Sequence, residues 1–122
     1  MKKLNKTTTL KGKSGKKYTF SLFSFDNFEE LSDELNEEKG ALYLFTKRNL
    51  KNGKYVHDYI YLGETSDIST RYSNHHKRRC IISHGSNCIG FFFTDKDEEE
   101  RKAMEKDILE AYVFPCNDKN NN

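Results

Sequence analysis

The stretch from Tyr61 to His75 carries residue types whose spacing could do chemistry. Tyr59, Ile60, Tyr61 and Leu62 suit a pleated, half-buried strand, Gly63 breaks the run, and Ser66 or Asp67 can cap a following helix by accepting its orphan backbone N–H groups. In that helix, expected from Ser66 to about His84, Arg71 and His75 are four residues apart and share a face. A guanidinium and an imidazole then project together beside the turn. The guanidinium is always charged and grips phosphate oxygens in pairs, which suits it to stabilising a pentacovalent phosphorane. The imidazole, with an ordinary pKa of about 6.5, could take the proton of an attacking water or contact a phosphate. For Arg71 a structural salt bridge is the plainer alternative.

Taken with Ala41-Leu42-Tyr43, this stretch resembles the GIY-YIG nuclease superfamily, whose second half-motif stands here as Tyr61-Leu62-Gly63. Members of that superfamily carry an arginine eight residues after the second motif's glycine, often a histidine four further on, a helical glutamate and a late asparagine. Arg71, His75, Glu105 and Asn117 occur here in that order. The resemblance covers roughly residues 40 to 118, most of a domain. It implies an α/β fold of the α+β sandwich kind, a small antiparallel three-stranded sheet flanked by helices. It also implies a divalent-metal-dependent endonuclease that hydrolyses phosphodiester bonds of nucleic acid, DNA foremost, with Tyr43, Tyr61, Arg71, His75, Glu105 and Asn117 as site residues. In one departure, Ala41 stands at the first motif's glycine, although Gly40 precedes it.

Phosphodiester hydrolysis needs a positioned water, a proton acceptor, positive charge on the non-bridging oxygens and help for the leaving alkoxide. Glu105 shares a helical flank with Ile108 and Leu109, so its carboxylate should lie along the sheet edge and favour a cation. Mg2+ or Mn2+ is the natural one, since both prefer oxygen ligands and keep waters that a phosphate can replace. The matching glutamate of the family holds a single such ion. Tyr43 or Tyr61 could accept or relay the proton in place of His75, if the phenol pKa fell well below about 10. Asn117 would brace the site by hydrogen bonds. Lys77, Arg78 and Arg79 form a basic cluster that suits phosphate contacts, or equally the C-terminal end of a helix dipole. A non-cleaving nucleic-acid-binding module of the same fold is the alternative function, and a structural or partner-binding domain a third.

The chain of 122 residues suggests one domain with a modest core, 34% hydrophobic and 13% aromatic. A net charge of +2 is too small to imply nucleic acid unaided, so its distribution matters more. Seven lysines precede the first acid, Asp26, whereas Glu98, Glu99 and Glu100 sit together at the start of a later helix, where the macrodipole favours them. The lysines read as solvation or as phosphate contacts. No apolar run nears the roughly 20 residues of a membrane helix, so a soluble, cytoplasmic protein is expected. Cys80, Cys88 and Cys116 are odd in number, which argues for reduced thiols, while Cys80, His84, Cys88 and Cys116 offer a loosely spaced zinc alternative.

Three segments are expected: a basic hairpin and helix extension over 1–39, a GIY-YIG-like domain over 40–118 and a frayed tail over 119–122. Residues 1–6 read as a mobile arm, 7–10 and 17–25 as strands around the Gly12 to Gly15 turn, and Asp26 with Glu29 as a capping box for a helix that Gly40 ends. Residues 41–46 and 55–64 read as antiparallel strands with Asn52-Gly53 in the loop between them, and 88–94 as a third strand. A second helix opens at Asp95 or Asp97, presents Met104, Ile108 and Tyr112 inward, and ends at Pro115.

Overall fold

The computed structural model describes residues 1–35, 38–69 and 75–117. In chain order the elements are β1 (Lys2–Lys11), β2 (Lys17–Ser24), α1 (Phe28–Glu34), β3 (Ala41–Lys51), β4 (Lys54–Thr65), α2 (Arg78–Ser83), β5 (Cys88–Phe93), α3 (Glu98–Leu109) and a 3-10 turn at Pro115–Asn117. The class is α+β, as expected, but the sheet has five strands, not three. All neighbours are antiparallel, in the order β1-β2-β5-β3-β4. The N-terminal hairpin joins the same sheet because β2 pairs with β5. The expected arm is itself strand from Lys2, interrupted by an irregularity between Lys3 and Thr7.

β3 is an interior strand, paired with β5 on one side and β4 on the other, and Ala41 to Thr46 are buried on both faces, which explains the apolar run from Ala41 to Phe45. Ala41 itself is fully buried, so the methyl that replaces the motif's glycine has a place in the core. One face packs Tyr43, Phe45, Tyr61, Ile89 and Phe91 against Phe28 and Leu31 of α1 and Ile81 of α2. The other packs Leu42, Leu44 and Leu62 with Leu10, Tyr18 and Phe20 against Ile108 of α3, with Met104 and Tyr112 at its margin.

Several local expectations shift. The strand β3 continues past Thr46 to Lys51 and turns directly through Asn52-Gly53, both with positive φ (52° and 76°), which makes the connection a two-residue hairpin. The cap of α1 is Asn27, whose side chain accepts from the Glu30 N–H, while Glu30 reaches back to the Asp26 N–H. The capping logic holds one residue later than Asp26 and Glu29. The helix α1 ends at Glu34, well before Gly40. The long helix expected over 66–84 is not formed: Ser66 to Ser69 make turns, His75 to Lys77 are non-helical, and α2 is only six residues long. Residues 70–74, Arg71 among them, lie outside the described residues. The helix α3 ends at Leu109, ahead of Pro115.

The cysteines also depart from expectation. Cys80 of α2 and Cys116 of the 3-10 turn form a disulfide, and Cys88 is a buried thiol. Count alone suggested reduction, but only the fold sets the Cα atoms 5.8 Å apart, within bridging range. Among the described residues no helix is long and apolar enough to cross a membrane.

Candidate active site

The centre of the candidate site is set by a strand pair and one bulge. Tyr43 on β3 sits opposite Gly63 on β4, and Phe45 opposite Tyr61, but the next pair is Thr46 with Tyr59. Ile60 is therefore an extra residue in β4, a β-bulge that reverses the alternation of the strand. Tyr59 packs on the α3 face, whereas Tyr61 points with Tyr43 to the α1 and α2 face. Their ring centroids are 5.9 Å apart. Period-two alternation alone would have put Tyr59 and Tyr61 together.

Gly63 is required by this arrangement. The ring of Tyr43 crosses it, and a Cβ there would stand 2.5 Å from the phenol oxygen and 2.7 Å from Cε1. The glycine therefore has a packing reason as well as a place in the motif.

His75 completes the cluster, buried, with its ring edge-on to both tyrosines at 5.7 Å and 5.1 Å. Its Nε2 is 2.6 Å from the Tyr43 hydroxyl oxygen, and its Nδ1 accepts the Lys77 backbone N–H at 3.0 Å. That second bond decides the tautomer. A nitrogen accepting from a backbone N–H carries no proton, so in the neutral ring the proton is on Nε2 and is donated to the Tyr43 oxygen. His76 stacks on His75 at 4.9 Å and approaches Tyr61. A cavity of about 590 Å³ adjoins the cluster, lined by His75, His76, Arg78 and Arg79 with Ile82 and Ser83.

The basic cluster stands at the start of α2 and not at a helix C-terminus, so the dipole does not explain it. Lys77 is buried, Arg78 pairs with Glu29 of α1 at 2.7 Å and lies over the Phe28 ring, and Arg79 is exposed. A bond from the backbone N–H of Glu29 itself, and then the bond from Arg78, hold the Glu29 carboxyl below its ordinary pKa. Arg78 thus also ties α2 to α1, while Arg79 is directed to solvent.

Asn117 sits where the edge of the sheet needs it. Its Oδ1 accepts the Leu62 N–H and its Nδ2 donates to the Leu62 carbonyl, each at 2.8 Å, so one side chain closes both open groups of a residue on edge strand β4. Leu62 lies between Tyr61 and Gly63. The disulfide at Cys116 holds the turn that delivers this amide.

Glu105 is half-buried on α3, the helix that covers the opposite face from His75. The hydrogen bond to Glu98, and after it the charges of Glu98, Glu64 and Glu105, raise the pKa of Lys102 on the same helix. Tyr43, Tyr61 and His75 are thus brought together, Asn117 braces the strand between them, and Glu105 stands on the other side of that edge strand.

Two features that position Glu105 escaped sequence reading. Arg101, on the same helix, is buried and donates to Glu64 of β4 at 3.0 Å and to the Lys96 carbonyl. This pair, with side-chain exposures of 8% and 10%, docks the start of α3 beside Gly63. Alternation from Leu62 puts Glu64 on the α3 face, which was the available signal. At the far end Asp107 accepts from the Ser14 N–H, the Ser14 hydroxyl and the Tyr18 hydroxyl. These bonds hold the Asp107 carboxyl below its usual range, and burial together with Asp107 pushes Tyr18 up to about 12. Glu105 lies between the two anchors.

Among the described residues the group of three or more metal-ligating side chains is Cys80, His84 and Cys116, not a carboxylate set. His84 Nδ1 is 3.7 Å from each sulfur, Cys88 is not part of the group, and the two sulfurs are bonded to one another. No family model, no curated protein sequence and no solved structure matches this chain.

Proposed function

We propose that the chain is a divalent-metal-dependent endonuclease that hydrolyses phosphodiester bonds of nucleic acid, DNA foremost. The observation that carries the reading is the 2.6 Å contact between Tyr43 and His75, with His75 Nδ1 already engaged by a backbone N–H. A phenol oxygen that accepts an imidazole N–H has its lone pairs oriented, and such a bond is stronger to a phenolate than to a phenol. Tyr43 is accordingly the proton acceptor, and His75 is its positioning residue.

Tyr61, whose ring lies beside those of Tyr43 and His75, is given the role of orienting the substrate. Arg79, facing the adjoining cavity, supplies positive charge to phosphate oxygens, with Arg71 assigned to the phosphorane on the strength of its place in the motif. Glu105 stands on α3, which packs against the edge strand β4 that carries Tyr61. Glu105 fits a hard cation: it is a half-buried oxygen donor, and Mg2+ or Mn2+ needs only one or two protein carboxylates. When bound, that ion supplies Lewis-acid stabilisation of the leaving oxygen.

The test is a cleavage time course on labelled single- and double-stranded DNA and RNA, with magnesium, manganese or chelator, using wild type and Glu105→Gln. Glutamine keeps size and helix propensity but is a poor sole ligand for such an ion. The expected result is metal-dependent cutting by wild type and none by the variant, which still folds and binds. Binding without cutting by wild type would assign a non-cleaving module. Cutting by Glu105→Gln at the wild-type rate would remove the metal assignment.

A further inference from the structure

Three exposed lysines of the N-terminal strand gather at one place. Lys2, Lys3 and Lys6 of β1 line a cavity of about 600 Å³ together with Arg48 of β3 and Tyr55, His57 and Tyr59 of β4. β1 and β4 are the two edges of the sheet, yet Thr8 Oγ1 comes within 3.3 Å of the Tyr59 hydroxyl. The sheet therefore curls until its edges approach, and the cavity is the groove between them. Because the bulge at Ile60 reverses β4, this groove lies on the opposite face from Tyr61 and His75.

Three properties define what such a groove takes. No carboxylate lines it, and its four cations make no ion pair among the described residues. That is a concentrated, uncompensated positive field between low-dielectric walls. The field is felt inside the groove: burial first, then the Arg48 charge, keeps His57 below its ordinary pKa, against the opposing charge of Asp58. Finally, flat surfaces alternate with the cations. The Arg48 guanidinium lies 4.3 Å from the Tyr55 centroid, and that ring is 53% exposed. One face of Tyr55 is backed by a cation, which leaves the ring area beyond it for a planar partner.

We propose that this groove binds a single strand of nucleic acid, phosphates on Lys2, Lys3, Lys6 and Arg48 and a base stacked on Tyr55. Cations interleaved with an exposed aromatic ring are the pattern of sequence-tolerant single-strand binding. Fixed charge alone would suit an acidic peptide equally, but the exposed ring favours a base. A cavity of this size is in the range that encloses a small ligand, so it has room for a nucleotide or two of one strand and not for a duplex. The groove deepens the nucleolytic reading by giving the substrate a second hold, but its occupancy does not require that the chain cut.

The test separates the two. Fluorescence anisotropy of a labelled 15-mer of thymidylate is recorded in chelator, so that no cleavage intervenes, over a series of salt concentrations. The proteins are wild type, a charge variant (Lys2→Gln, Lys3→Gln, Lys6→Gln, Arg48→Gln), Tyr55→Ala, and a control with Lys13→Gln and Lys106→Gln outside the groove. Circular dichroism confirms folding of each. The expected result is an affinity loss of more than tenfold in the charge variant, with the salt slope reduced by up to about 3, since each lost single-strand phosphate contact lowers it by about 0.7. Tyr55→Ala should lose about tenfold with its slope unchanged, and the control should match wild type. Wild-type affinity in the charge variant would overturn the proposal, as would absence of binding by wild type. Equal or tighter binding of a duplex, or of poly-glutamate with no dependence on Tyr55, would also overturn it. Each outcome is independent of whether Glu105→Gln abolishes cutting.

Discussion

Replacing Gly63 by alanine isolates the contact on which the candidate site is built. The added methyl would stand 2.5 Å from the Tyr43 oxygen and 2.7 Å from Cε1, so the ring must retreat by roughly 1 Å to restore ordinary van der Waals distance. It has little room. Tyr43 is 1% exposed, and its ring is hemmed by Phe45, Tyr61 and His75 at 5.7 to 6.0 Å between centroids. Overpacking of this kind costs about 1–3 kcal/mol, and breaking the bond to His75 leaves two buried polar groups short of a partner for about 1–3 kcal/mol more. Alanine in a strand recovers about 0.5–1 kcal/mol of backbone entropy over glycine. The net is a destabilisation of about 3 kcal/mol. For a chain of 122 residues, with an unfolding entropy of about 2.1 cal/mol/K per residue, that lowers Tm by about 12 °C. The assay is thermal unfolding followed by circular dichroism, run as a double-mutant cycle with Tyr43→Ala. In the Tyr43→Ala background Gly63→Ala should be neutral or slightly stabilising. A Tm within about 2 °C of wild type for Gly63→Ala alone, or the same loss in both backgrounds, would refute the argument.

Three further outcomes are expected. Tyr43→Phe should abolish cleavage while His75→Ala retains a measurable rate, because the imidazole positions the phenol and does not itself accept the proton; complete loss in His75→Ala with activity kept in Tyr43→Phe would reverse the roles. The disulfide closes a loop with a sequence separation of 36, for which loop-closure entropy gives about 4 kcal/mol, so Cys80→Ser with Cys116→Ser, or added reductant, should lower Tm by about 15 °C. A thiol titration of denatured, unreduced protein should find the single thiol of Cys88, and three thiols would remove the bridge. The Asp107 anchor should weaken at both ends of the pH scale. Its depressed pKa gives stability that is present above the unfolded value of about 3.9 and is lost as pH falls through the folded one. Tyr18, raised to about 12, holds its proton longer when folded, so stability is lost as pH rises from about 10 towards 12. Melts of Tyr18→Phe against pH should lack the alkaline loss, and an unchanged alkaline limb would place its origin elsewhere.

What the sequence determined by itself is mostly local. Alternation in residues 17–24, the apolar run 41–46, the Asn52-Gly53 turn and the acidic opening of α3 each follow from short-range sterics, pleat period or the helix dipole, and each appears where its residues are. That Tyr43 and Tyr61 stand on neighbouring strands was also legible, but that they share a face was not, since the register of the Asn52-Gly53 turn run straight on would pair Tyr43 with Leu62. Tertiary structure decided the rest. Whether the N-terminal hairpin stands apart or completes the sheet depends on the pairing of β2 with β5, between residues some seventy apart, which no local rule encodes. A bulge at Ile60, invisible to period-two counting, sends Tyr61 to one face and Tyr59 to the other. Among the described residues the helical pattern over 66–84 is interrupted at His75 to Lys77, where the Lys77 N–H goes to His75 Nδ1 instead of to a helical carbonyl. Cys80 and Cys116 could be paired only after α2 and the last turn had been folded against the same core. Charge behaved alike: the lysines before Asp26 were visible as a run, but only the curl that brings Thr8 to Tyr59 turns them, with Arg48 and Tyr55, into the wall of a groove.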